Sequence, residues 1–137
     1  MHGMVLLAGM AMNLLWADAP KGKPVRVIQA REVTPAGEVV EVLVRGSDER
    51  WHVRGEKLPF TGKVLDKIFG REHETNYLKG LRHGPYVIIH RNGVTAAQGI
   101  FRQGKRMKHR EWDTKGGQIE LEGWNFDGTP KQPAPKK

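Results

Sequence analysis

Tyr77-Leu78-Lys79-Gly80, Phe101-Arg102-Gln103-Gly104 and Asn125-Phe126-Asp127-Gly128 are three versions of one phrase, set 24 residues apart. Each puts a glycine behind a polar residue and an aromatic residue near its start. Gly93 and Gly117 keep the same spacing, as do Gly99 and Gly123, so three glycine columns share one 24-residue period. A fixed period in the range of roughly 20–50 residues marks one supersecondary unit copied along a chain. Each copy needs its neighbour to cover its apolar face. This reading makes a scaffold the first functional class, ahead of an enzyme.

Between the glycines the text is that of strands. Tyr86-Val87-Ile88-Ile89-His90 is an apolar run closed by Arg91-Asn92-Gly93. Asn-Gly is a hairpin signal, because a type I′ turn needs positive φ at both central residues. Thr95 to Phe101 returns, Gln103-Gly104 turns, and Arg106 to Trp112 advances. Lys115-Gly116-Gly117 turns, Ile119 to Trp124 returns, and Asp127-Gly128 turns again. Upstream, Val25 to Val33, Glu38 to Arg45 and Arg50 to Arg54 read as three strands. Thr34-Pro35-Ala36-Gly37 and Gly46-Ser47-Asp48 separate them. The densest β-branched run, Glu38-Val39-Val40-Glu41-Val42-Leu43-Val44-Arg45, is expected to be one uninterrupted strand. The expected fold is mainly β, an elongated antiparallel meander of successive hairpins.

Composition narrows the class. Seventeen glycines and eight prolines in 137 residues favour turns and short strands over long helices. With 38% apolar residues the core must be thin. The absence of cysteine excludes disulfides, thiolate catalysis and cysteine metal sites. The net charge is +8 and uneven: residues 61–137 hold 15 Lys and Arg against 8 Asp and Glu, residues 1–60 only 8 against 7. Such a charge either steers the chain to anionic surfaces or keeps a sparsely apolar sheet in solution.

Residues 1–19 read as a signal peptide. Met1 to Trp16 carries no charged side chain, and Ala17-Asp18-Ala19 has small residues at a cleavage-site spacing. Export to the periplasm or outside the cell is the expectation. The alternative, an N-terminal core helix or strand, would leave the protein in the cytoplasm. The run is too short for an ordinary membrane span. Residues 20–57 then form an N-terminal β segment, 58–128 the hairpin repeats, and 129–137 (Thr-Pro-Lys-Gln-Pro-Ala-Pro-Lys-Lys) a disordered tail.

Pro59-Phe60-Thr61-Gly62-Lys63-Val64, the stretch from Asn76 to Tyr86 and Arg91-Asn92-Gly93 together resemble MORN-type repeats. More narrowly, they are similar to the bacterial branch known as YwqK-family antitoxin components of toxin–antitoxin systems. The resemblance covers about residues 50–128 and fades in the last unit, where Lys108 and Arg110-Glu111-Trp112 replace the expected glycine and aromatic strand. It implies a sheet of hairpins with aromatics stacked along one face, a partner protein, and no catalytic residues or cofactor.

One constellation stands out as a candidate site. Arg102 to Arg110 contains five Lys and Arg and no acid. Lys105, Arg106, Lys108 and Arg110, with Trp112 close by, could grip phosphates of lipid headgroups or nucleic acid. The competing reading is a solvated basic turn. Trp51, Tyr77, Tyr86, Phe101, Trp112 and Trp124 read as the apolar face of the sheet rather than a ligand cage. The six histidines show no metal-site spacing, and Glu72-His73-Glu74 has no nucleophile beside it.

Overall fold

The computed structural model describes residues 25–132. The expected signal peptide, residues 1–19, and residues 133–137 lie outside them. The described chain is all β, with eleven strands and no helix. The strands are β1 (Val27–Gln29), β2 (Arg31–Val33), β3 (Val39–Glu41), β4 (Leu43–Arg45), β5 (Trp51–Val53), β6 (Gly62–Ile68), β7 (Arg71–Leu78), β8 (Leu81–Ile89), β9 (Thr95–Arg102), β10 (Lys105–Trp112) and β11 (Gln118–Ile119). Seven form one sheet in the order β1-β6-β7-β8-β9-β10-β11; β2-β3 and β4-β5 are separate hairpins. From β6 onward every pairing is antiparallel between chain neighbours, so the meander stands. The exception is β1, which lies parallel to β6.

The turns are of two kinds. Phe69-Gly70, Lys79-Gly80 and Gln103-Gly104 are two-residue loops with both residues at positive φ, near 50° and then 80°. These are the type I′ turns. The Asn92-Gly93 turn is not one of them. There His90 N–H donates to Val94 C=O, Gly93 N–H donates to His90 C=O, and only Gly93 has positive φ. The Asn92 side chain instead accepts from Val94 N–H at 3.0 Å. Asp113 to Gly117 and Asn125 to Thr129 repeat this five-residue loop. Gly116, not Gly117, therefore matches Gly93, and Gly128 belongs to a different loop type from Gly80 and Gly104. The 24-residue echo marks a real second copy, β9-β10 after β7-β8. The glycine columns are not structural equivalents throughout.

The N-terminal strands are also cut shorter than their sequence suggests. Val25 to Val33 breaks at Ala30, and Glu38 to Arg45 breaks at Val42. The two breaks face one another: Val42 and Leu43 N–H both donate to Ala30 C=O, while Ala30 N–H donates to Leu65 C=O. At this corner the chain leaves the large sheet, and β3 and β4 take different partners. Buried Ala30 and Leu43 then pack with Phe60, Val64 and Tyr77, flanked by Ile28, Trp51 and Val53. Burying these side chains outweighs continuous pairing. At the other end the expected strand from Ile119 to Trp124 shrinks to β11, and Trp124 makes a single bridge to Pro130. Where a disordered tail is expected, Thr129 and Lys131 join this closing loop through Asn125 and Gly123.

Candidate functional site

The centre of the sheet carries a buried polar chain. On β8, β9 and β10 the register sets Tyr86 against Gly99 and Gly99 against His109. Residues two apart on a strand share a face, so Tyr86, Phe101, His109 and Glu111 stand on one side. His109 lies 23 residues after Tyr86 and takes its place in the next hairpin pair, because the β9-β10 ladder slips at Met107. The Tyr86 and Phe101 ring centroids are 4.8 Å apart, the His109 ring stacks on Tyr86 at 5.9 Å, and Trp124 meets His109 edge-on at 5.8 Å.

Tyr86 and His109 are each only 5% exposed, so their polar atoms need partners. The Tyr86 hydroxyl hydrogen-bonds His109 Nδ1, and His109 Nε2 reaches Glu111 Oε2 at 2.6 Å. A neutral imidazole satisfies all three groups, with Tyr86 O–H donating to Nδ1 and Nε2–H donating to the carboxylate. Gly99 makes the closeness achievable. A Cβ there would overlap the Lys108 carbonyl oxygen and the Tyr86 hydroxyl. Burial pushes the Tyr86 phenol up to about 12, against the opposing charge of Arg106. A phenol held neutral this firmly is a poor nucleophile at physiological pH. The Tyr86–His109–Glu111 chain ties β8 to β10 across the sheet centre.

The structure divides the sequence-derived site. Arg106 pairs with Phe101, and its guanidinium lies 5.5 Å from the Phe101 ring centroid and 5.4 Å from that of Tyr86. It covers the aromatic face. Lys105, Lys108, Arg110 and Trp112 alternate onto the opposite face, with Arg110 5.4 Å from the Trp112 ring centroid. The expectation that Lys108 and Arg110 share a face is met. Trp112 stands with them, so it departs from the aromatic face on which the sequence placed it. Among the described residues, none of Lys105, Arg106, Lys108 and Arg110 is in an ion pair. Lys108 and Arg110 also line a cavity of about 340 Å³ together with Val87, Gln98, Ile100 and Asp127.

The sequence reading passed over Tyr86, His109 and Glu111 as a unit. His109-Arg110-Glu111 held a signal, since a histidine and an acid two apart on a strand share a face. The ladder slip that brings Tyr86 to them has no signature in the text.

One hairpin tip is exceptional. Phe69 fills the first position of its type I′ turn with φ 51° and is 88% exposed. The Arg91 guanidinium braces it by donating Nε–H to the Phe69 carbonyl at 3.0 Å. Compared with protein-family models, with characterised proteins and with solved structures, the chain matches none. No helix among the described residues is long and apolar enough to cross a membrane.

Proposed function

We propose that this protein is a non-enzymatic, MORN-like hairpin scaffold that binds a partner protein, with the Phe69 turn as an anchor. The carrying observation is that turn. A bulky aromatic residue at positive φ is strained, and Asn, Asp or Gly suits the position better. Among the described residues Phe69 also leaves its ring in water, with little packing to offset the cost. Strain of this kind in an otherwise regular hairpin points to use at an interface. Buried aromatics are typical anchors of protein interfaces. Further apolar surface lies nearby. Val33 and Val39 form an exposed cross-strand pair, 70% and 63% accessible. Arg31 ties the start of their hairpin to Asp66 and to the Lys67 carbonyl, at the end of β6 that carries Phe69.

The resemblance to antitoxin components supports a protein as the partner class. The charge-free N-terminal run supports an exported location, with the cytoplasm as the alternative. The experiment is capture of partners from native cell fractions on the full chain, side by side with a Phe69→Asn variant. The variant should melt at the same temperature or higher, because Asn suits the turn. It should also lose the partner that the wild type retains. A partner held equally by both proteins, or a variant that melts lower, would remove the anchor from the argument.

A further inference from the structure

We infer that the cavity between β8, β9 and β10 is a binding site for a nucleoside monophosphate. This rests on the sheet's other polar features and is independent of the Phe69 surface. The cavity's volume, about 340 Å³, falls within the ordinary range of small-ligand sites. Its lining holds three kinds of group. Val87 and Ile100 supply apolar surface on which a planar base can lie. Gln98 offers an amide, both donor and acceptor, suited to a base edge. Lys108 and Arg110 bring two cations that make no close ion pair among the described residues. Arg and Lys beside one another suit a terminal phosphate.

Asp127 decides the class of ligand. A carboxylate on the rim disfavours a bare phosphate, which would bring like charge beside it. It favours an anion that also carries hydroxyls, because an ionised carboxylate only accepts hydrogen bonds. Asp127 Oδ1 already accepts from the Thr129 amide at 2.9 Å and the Thr129 hydroxyl at 2.6 Å. Its second oxygen remains for a ligand hydroxyl, the part an acidic residue plays toward ribose in nucleotide sites. These hydrogen bonds, aided by the Lys108 charge, hold the Asp127 carboxyl below its usual range and so ionised at neutral pH. The site depends on the loop from Asn125 to Thr129, because His109 N–H donates to the Gly128 carbonyl at 3.0 Å. A Cβ on Gly128 would come to 3.0 Å from Arg110 Cγ, so glycine lets the loop settle against the Arg110 stem.

The test is calorimetric titration of the full chain with adenosine and uridine 5′-monophosphates. Adenosine, inorganic phosphate and a short single-stranded oligonucleotide are run as separate arms. One mononucleotide should bind per chain. Lys108→Gln and Arg110→Gln should each weaken binding about tenfold, the usual worth of a charged hydrogen bond. Gln98→Glu should weaken it as well. Lys79→Gln with Lys115→Gln, outside the cavity lining, should leave affinity unchanged. Thermal melts of each variant verify folding. An oligonucleotide that binds with the same residue dependence supports the site and names a strand as the nucleotide source. Three results would overturn the inference. One is no saturable binding of either mononucleotide. Another is inorganic phosphate competing as well as nucleotide. The third is a loss in the Lys79/Lys115 control equal to that in the cavity variants, since that means diffuse surface charge.

Discussion

Tyr86→Phe should destabilise the protein at neutral pH and abolish part of its alkaline unfolding. At neutral pH the substitution removes one hydroxyl and leaves His109 Nδ1, on a residue 5% exposed, without its hydrogen-bond partner. An orphaned buried polar atom costs about 1–3 kcal/mol. Each kcal/mol lowers the melting temperature of a domain this size by roughly 3–6 °C. The pH dependence gives an independent magnitude. The Tyr86 phenol is raised from an ordinary 10.0 to about 12 in the folded chain. Its contribution is therefore complete below about pH 10 and is lost as pH climbs through about 12, because the unfolded chain ionises first. A shift of two units corresponds to about 2–3 kcal/mol. The assay is urea unfolding of both proteins at steps from neutral to strongly alkaline pH, followed by tryptophan fluorescence. The wild type's advantage should hold to about pH 10 and shrink toward zero by about pH 12. Equal stability at neutral pH, or a constant difference across the alkaline range, would refute the account of the Tyr86–His109–Glu111 chain.

Two glycines should respond differently to alanine in thermal melts. Gly99→Ala should cost about 3 kcal/mol, because its Cβ meets the Lys108 backbone carbonyl and β9 must part from β10. Gly93→Ala has φ 87° but open space around the new Cβ, so it should cost only the backbone strain of about 1–2 kcal/mol, and Gly93→Val more. On the acid side, stability should be flat down to about pH 4 and then fall. Asp113 is held below its usual range by the Gly117 and Lys115 N–H groups, Asp48 by Arg50 N–H, and Glu56 by the Arg26 guanidinium. Their contributions are present above the unfolded carboxylate pKa and disappear as pH drops through the lower folded values. A chemical-denaturation series showing no loss in acid would contradict these turn and ion-pair contacts.

The sequence by itself determined the fold class, because strand and turn chemistry is local. Apolar β-branched runs such as Tyr86 to Ile89 and glycines such as Gly104 each state their conformation within a few residues. Local rules likewise placed Lys108 and Arg110 on one face, since strand side chains alternate with a period of two. The type of the Asn92-Gly93 turn was decided by loop length, which follows from the pairing of His90 with Val94 rather than from the dipeptide. Val42 broke the most strand-like run in the chain because Ala30, twelve residues earlier, offers its carbonyl there and Leu43 gains burial. Tyr86 met His109 through a one-residue slip at Met107, and Arg106 turned away from Lys108 across the same slip. Register is a property of two strands together. It is set by packing and close approach at points such as Gly99, and no single strand encodes it.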